Sequence, residues 1–334
     1  MLNANWIHCK EDIGDCVPLY RKKFQTKKAV KSAFLQISAR GVYEATFNGH
    51  RVGNFILAPG WTSYKHRIQY QTYDITTLLA EENDFVVAVA AGWYKGAIAR
   101  WWTYPDAHVC ALIAKIELTY EDGTTETFST DSDWMAAKSG YSFCEIYDGV
   151  VFDARVTPDF CLETVVAEDN CKEGLIPQVG EIVTEHERFK PCEILVTPKG
   201  ETVIDFGQNL VGYVEIELTA KAGDEVSLSF AEILDKEGNF YNENYRAATC
   251  QYKYICKDGK QSFKPTLCFY GYRYIRLDQY PVEVKAENFT SIAVYSDMER
   301  IGNIESSDKM LNQFFNIRVY YMCHFRCKTP CSQL

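Results

Sequence analysis

One short stretch of the sequence concentrates aromatic side chains that could bind a ligand. Its members are Trp93, Tyr94, Trp101, Trp102 and Tyr104. They follow an apolar run rich in β-branched residues and precede Pro105-Asp106, which predicts a loop at one end of a β-sandwich. Aromatic rings offer apolar surface to the C–H face of a sugar, and polar neighbours can fix its hydroxyl groups. Alternatively, these rings pack against another part of the protein, and the sequence leaves both interpretations open.

Other residues whose side chains could bind metal or react form weaker patterns. Cys323, Cys327 and Cys331 lie near His324, but their spacing fits neither the C-x2-C pairs of zinc sites nor the usual iron–sulfur runs. The six histidines form no metalloprotease motif. We therefore interpret the thiols as buried or incidental and predict no metal site. Glu232, in an Ala-Glu-x-Leu motif, is expected to bond backbone amides near a strand end.

Composition limits the possible partners and compartment. The chain has 334 residues, which suggests two domains or one large domain, and 47% of them are hydrophobic. Its net charge is −10, and the sequence contains no long run of charges of one sign. Both features argue against nucleic-acid and anionic-membrane partners, which need basic patches. No stretch approaches the roughly 20 apolar residues of a membrane span, and the start lacks a signal-peptide pattern. Thirteen scattered cysteines then predict reduced thiols and a cytoplasmic location.

The elements that would position the aromatic loop begin with residues 41–76. A strand with alternating side chains follows Gly41 and ends at Asn48-Gly49, a dipeptide that favours a type I′ hairpin turn. A returning strand is predicted from about Arg51 to Leu57, and Pro59-Gly60 ends it. Such hairpins with alternating faces are typical of a β-sandwich.

Four motifs in this region carry a family resemblance. They are G-x-Y-E-x-x-x-N-G-x-R-V-G, L-A-P-G-W-T-x-Y, Y-Q-T-Y-D-I-T and Gly92-Trp93-Tyr94. Together they resemble the N-terminal domain of the bacterial α-L-rhamnosidases, glycoside hydrolase family 78. Further along, D-F-G-Q-N-x-x-G, A-G-D-E-V-x-L, A-E-x-L and F-Y-G-Y-R-Y-I are similar to the concanavalin-like domain of the same family. The resemblance covers roughly residues 20–330, with the two domains in the family's order.

The predicted fold is all-β, with two antiparallel, jelly-roll-like β-sandwich domains followed by a short C-terminal helix. Alternating residues 214–218 and 226–230 support the second sandwich independently of the resemblance. The expected division is a lead-in at 1–18, an N-terminal β-sandwich at 19–165, a linker at 166–185, a concanavalin-like β-sandwich at 186–300, and a first helix of a truncated (α/α)6 catalytic domain at 304–334.

The resemblance also bears on catalysis. Glycoside hydrolysis needs two placed carboxyl groups, and in the family the catalytic acid region begins in the barrel near T-D-C-P-Q-R-D-E-R. This chain offers only Thr329-Pro330-Cys331-Ser332-Gln333-Leu334, so no catalytic residue is predicted. Apolar residues from Leu311 to Phe325 fall at helical spacing, as expected for the helix that leads into that barrel.

The resemblance therefore implies the non-catalytic N-terminal portion of an α-L-rhamnosidase, whose complete form hydrolyses terminal α-L-rhamnosyl residues from glycosides. Two alternatives remain: a stand-alone module that binds rhamnose, or domains that only support the barrel. Rhamnose-containing glycans are the implied partners. In some relatives the first domain binds rhamnose with calcium, but this sequence contains no EF-hand-type loop, so calcium is retained only as an option.

Overall fold

The computed structural model describes residues 3–97, 109–299 and 301–315. Strands dominate these residues, and the described part contains two large sheets and one small two-stranded sheet. The predicted all-β class is confirmed.

The strands of the first half are β1 (Ile7–Cys9), β2 (Pro18–Gln25), β3 (Val30–Arg40), β4 (Val42–Phe47), β5 (His50–Arg51), β6 (Ile68–Asp74), β7 (Glu82–Ala90), β8 (Ala111–Tyr120), β9 (Thr125–Ser129), β10 (Met135–Lys138), β11 (Tyr141–Glu145), β12 (Gly149–Asp153), β13 (Leu162–Val166) and β14 (Leu175–Pro177). Those of the second half are β15 (Val183–Phe189), β16 (Glu193–Val196), β17 (Thr202–Ala220), β18 (Glu225–Ala231), β19 (Ile233–Leu234), β20 (Phe240–Tyr241), β21 (Gln251–Ile255), β22 (Gly259–Phe263), β23 (Tyr270–Gln279) and β24 (Phe289–Ser296). Short 3-10 helices lie at Thr76–Leu78, Glu243–Tyr245 and Ala286–Asn288.

The first sheet has the strand order β14-β6-β3-β8-β1-β13-β10-β2-β7-β4-β5, and β9 pairs with β8. Side chains alternate along β7, so that every second residue enters the core. Phe85 of β7 stacks on Phe47 at 4.3 Å and meets Trp134 edge-on at 5.6 Å. These three fully buried rings fill the first core.

The hairpin at the start of this sheet has the predicted turn. Asn48 and Gly49 both have positive φ, 51° and 79°, as a type I′ turn requires. The returning strand is shorter than predicted, because β5 ends at Arg51. Residues 52–57 leave the ladder and bury apolar side chains, with Leu57 at a φ of 61°.

The second sheet has the order β11-β12-β21-β18-β23-β17-β24-β15, with β16 and β22 also paired to β17. The 19 residues of β17 are bent by a register shift between Asp205 and Leu210. Arg273 donates two hydrogen bonds to Asp205, at 2.8 and 2.7 Å, beside this bulge. Stacked Phe230 and Tyr270, 3.9 Å apart, mark the centre of the second core.

The chain crosses from the first sheet to the second and back. β12 pairs in parallel with β21, so residues 141–153 belong to the second sheet, although the sequence analysis placed them in the first domain. β13 then returns to the first sheet, and β14, within the expected linker, pairs in parallel with β6. Alternation reveals that a strand exists but not which distant strand it pairs with. The division at 19–165 and 186–300 itself stays a prediction.

Gly149 makes this exchange possible. Its φ is 91°, and a Cβ built on it would lie 2.0 Å from the carbonyl oxygen of Gln251. Any other residue would therefore push β12 away from β21.

The described C-terminal part ends in a helical segment at residues 309–315. Met310, Leu311 and Phe314 are exposed there by 78%, 49% and 56%. The remainder of the predicted helix lies outside the described residues. Within the part of the chain that the structure describes, no helix is long and apolar enough to cross a membrane.

Glu145 joins the two sheets by hydrogen bonds. Its carboxylate accepts the Ala97 N–H at 2.7 Å and the Asp148 N–H at 2.9 Å. Ala97 follows β7 of the first sheet, whereas Glu145 ends β11 of the second. Burial, with a smaller contribution from neighbouring Asp148, raises the pKa of the Glu145 carboxyl to about 7.

This pKa predicts a pH-dependent contribution to stability. Because the folded-state pKa lies above the unfolded value, the folded protein holds an extra proton between about pH 4.5 and 7. The contribution is therefore fully present below pH 4.5 and lost as pH rises through 7. Glu145→Gln should remove this component, so that the difference in unfolding free energy between the two proteins changes by on the order of 1–3 kcal/mol from pH 5 to 8. Denaturant titrations across this range measure it, and a constant difference would contradict it.

Candidate functional site

A cavity of about 780 Å3 lies at the junction of the two sheets, beside the end of β7. Its wall consists of residues 8–18, Tyr20, 89–91, 95–96, 109–110, 143–145 and Asp148. Residues 1–18 were expected to be a loose lead-in; within them the structure places β1 (Ile7–Cys9), and residues 8–18 form one side of this cavity.

The two ends of the predicted aromatic loop border the cavity. Gly96 and Val109, which flank residues 97–108 in the sequence, both line its wall. Gly96 has a φ of 107°, and a Cβ there would lie 2.0 Å from Oε2 of Glu145. Gly92 has a φ of 53°, and a Cβ there would lie 2.5 Å from Cγ1 of Val42. Two glycines and one carboxylate thus hold the loop base against both sheets.

Of the five predicted sugar-binding aromatics, two lie in the described residues. Trp93 is 3% exposed and packs between Trp61, at 6.3 Å, and Phe269 of the second half, at 6.4 Å. Tyr94 is half-buried and meets Tyr64 edge-on at 5.3 Å. For Trp93 this geometry favours the packing role that the sequence analysis left open, because its faces are covered by protein.

The other three, Trp101, Trp102 and Tyr104, lie outside the described residues. The binding site on the loop that carries all five residues therefore stays a prediction. The cysteine group at 323–331 also lies outside them.

Four thiols line the cavity, and their environment makes them poor nucleophiles. Burial raises the pKa of Cys9 and of Cys110 to about 11, and it also raises the pKa of Cys16. A hydrogen bond with Cys268 is the main cause of the raised pKa of Cys144. All four therefore remain protonated at neutral pH. In the described ranges, no group of three His, Cys, Asp or Glu residues could hold a metal ion.

Glu232 makes different contacts from those expected. Its carboxylate accepts hydrogen bonds from the side-chain amides of Asn209, at 3.1 Å, and Asn244, at 3.0 Å, instead of from backbone amides. All three residues are partly or largely exposed, and they lie on the second half of the chain, apart from the cavity wall.

Sequence reasoning missed Glu145 as a site residue. The signal that could have found it is the Glu-x-x-Asp-Gly pattern at 145–149, because a carboxylate before a tight glycine turn commonly accepts backbone N–H groups. Its partner Ala97 is 48 positions away, and nothing local in the sequence indicates that pairing.

Comparison with known proteins identifies both halves. The family described as "Alpha-L-rhamnosidase N-terminal domain" matches residues 28–174, and "Bacterial alpha-L-rhamnosidase concanavalin-like domain" matches residues 195–295. An alpha-L-rhamnosidase from Alteromonas sp. (strain LOR) is 33% identical over 338 residues, covering 93% of this chain and 36% of that protein. One from Streptomyces avermitilis is 32% identical over 298 residues, covering 86% and 29%. The chain spans about a third of the length of these curated relatives.

Comparison with solved structures leads to the same family. The native rhamnosidase from Aspergillus terreus superposes with a TM-score of 0.88 at 30% identity, covering 96% of this chain and 39% of that one. The Streptomyces avermitilis enzyme complexed with L-rhamnose gives 0.87 at 30% identity, covering 92% and 31%. With two family domains matched in order and these relatives sharing its fold, the chain belongs to the bacterial α-L-rhamnosidases, glycoside hydrolase family 78.

Proposed function

We propose that this chain acts as the non-catalytic N-terminal part of an α-L-rhamnosidase that cleaves terminal α-L-rhamnosyl residues from glycosides. The observation that carries the proposal is the match of both accessory domains, in order, over about a third of each curated relative. The function of such a part is to brace the catalytic unit and to contact its glycan.

The buried carboxylate at the cavity supports a non-catalytic role. A glycosidase needs one carboxyl group that donates a proton and a second that acts as base or nucleophile. Glu145 instead uses both oxygens to accept backbone N–H groups that hold the loop base. Asp148 accepts hydrogen bonds from the Thr249 backbone and hydroxyl. These contacts are what structural carboxylates make.

We also propose that the loop carrying Trp93 to Tyr104 contacts an L-rhamnosyl group. Its aromatic composition provides the apolar surface, and its ends border a cavity with polar groups. The free state of every described cysteine is compatible with a cytoplasmic setting, which we include in the proposal.

The first test is enzymatic. The purified chain should release no nitrophenol from an aryl α-L-rhamnoside above the rate of a blank, because its sequence does not carry the family's catalytic motif and the contacts of Glu145 and Asp148 are structural. The matched control is Glu145→Gln. Turnover in the unmodified chain that disappears in this variant would contradict the proposal and make Glu145 the acid.

The second test concerns the loop. L-rhamnose should change the tryptophan fluorescence with a Kd of about micromolar to millimolar, since a monosaccharide offers few contacts. Replacing Trp101 and Trp102 together by Ala should abolish this response and leave the unfolding transition in place.

Trp93→Ala is the matched control, because Trp93 is buried between two rings. It should lower the unfolding free energy by about 3–5 kcal/mol. A stable double variant that still binds rhamnose normally would show that the site lies elsewhere.

A further inference from the structure

We propose that one strip of the second half, formed by the bulge of β17 and the segment after β18, is the surface on which the catalytic unit of the enzyme docks. This inference rests on the proposed function and deepens it, because it names the surface through which the chain meets that unit. The strip consists of residues 207–209, 232–233 and 243–246, and we call it the docking strip. None of its residues lines the cavity at the sheet junction.

Three sequence motifs that lie far apart in the chain meet at the docking strip. Asn209 belongs to D-F-G-Q-N-x-x-G and Glu232 to A-E-x-L, while Arg273 of F-Y-G-Y-R-Y-I pairs with Asp205 beside the bulge at 2.7 Å. The Glu232 carboxylate accepts hydrogen bonds from Asn209, at 3.1 Å, and from Asn244, at 3.0 Å. Both amide side chains are exposed, yet these bonds hold them in place. An exposed surface that is already ordered loses little freedom when a partner binds.

The chain leaves the second sheet beside this strip. Ala293 of β24 pairs with Gly212 of β17, so the end of β24 at Ser296 lies level with the bulge. Neighbouring strands are about 4.8 Å apart. Beyond Ser296, Ile301 and Ile304 are largely exposed. The proposed function makes the catalytic unit the part that follows, and a unit attached here is held close to the strip at a high effective concentration.

Two exposed side chains of the strip make no contact that explains their position in this chain. Ile233 is 54% exposed, whereas the next residue, Leu234, packs into a small core. Arg246 is exposed and makes no ion pair with the described residues. Its φ is 59°, which is unfavourable for arginine, and the hydroxyl group of Tyr245 fixes this turn by donating to the Gly271 carbonyl. An apolar side chain and an unpaired guanidinium are typical of protein interfaces, so the catalytic unit should present a carboxylate or carbonyl group to Arg246.

Cys192 is a native reporter of the docking strip. A Cβ built on Gly207 would lie 2.8 Å from the Cys192 sulfur, so this exposed thiol lies against the bulge. Cys161, exposed in the first half, is the internal control. The full chain is fused to the catalytic unit of the Alteromonas relative, in place of the matched part of that enzyme, and hydrolysis of an aryl α-L-rhamnoside shows that the unit is folded. Labelling by N-ethylmaleimide is followed by peptide mass spectrometry in the chain and in the fusion.

In the fusion, labelling of Cys192 should be slower by about tenfold or more, because the reaction then requires the interface to open. Arg246→Glu and Ile233→Asp should each speed this labelling again by about fivefold or more, as expected for the loss of a central interface contact. Lys31→Glu and Val179→Asp, at exposed positions in other parts of the chain, are the matched controls and should leave it slow. In the chain alone, all four variants should keep the unfolding transition and the labelling rate unchanged.

The possible results separate the docking strip from the proposed function. An active fusion in which Cys192 reacts as fast as in the chain alone, or in which Cys161 is slowed equally, would overturn the strip and leave the proposed function intact. Protection of Cys192 in the chain alone, with a dimer detected by light scattering, would assign the strip to a second copy and also overturn the proposal. An inactive fusion, while the intact Alteromonas enzyme is active in the same assay, would contradict the proposed function itself.

Discussion

The structure depends on the exchange of strands at the junction of its two sheets. Residues 141–153 leave the first sheet, pair with the second, and return as β13. The parallel pairing of β12 with β21 requires the close approach at Gly149. Because the chain crosses between the sheets in this way, neither sheet can be completed by a continuous stretch of sequence, and the two cores are built together.

Polar contacts strengthen the same junction. Thr266 of the second half donates to Glu44 of β4 at 2.7 Å, and Glu44 also pairs with Arg51 at 3.3 Å. The Ile56 N–H donates to the Val183 carbonyl at 2.8 Å. The loop base is held by the same arrangement, through Glu145. Anything that binds beside this loop therefore meets a surface whose geometry is set by both sheets, which is the preorganisation that a weak, small ligand needs.

Local rules predicted some elements and not others. The Asn48-Gly49 turn was predictable because a type I′ turn needs two positive φ angles, which these residues adopt readily. An apolar run rich in β-branched residues located β7, and alternation located β17 and β18, for a similar local reason. The partner of β12 was not predictable, because a parallel pairing with β21 across about 100 positions leaves no trace in either segment. Trp93 was ambiguous for a related reason: an aromatic ring has the same sequence signature whether its face meets a sugar or Phe269.

The ligand recognition that we propose for this chain lies at the junction of the two sheets. The most direct measurement is a two-dimensional amide NMR spectrum of the chain recorded during titration with L-rhamnose. We expect the largest shifts among the described residues at Lys95, Gly96, Ala97 and Cys110, which surround the loop base. Shifts confined to the second half away from the junction, such as those of Asn209 and Asn244, or no shifts at saturating sugar, would contradict it.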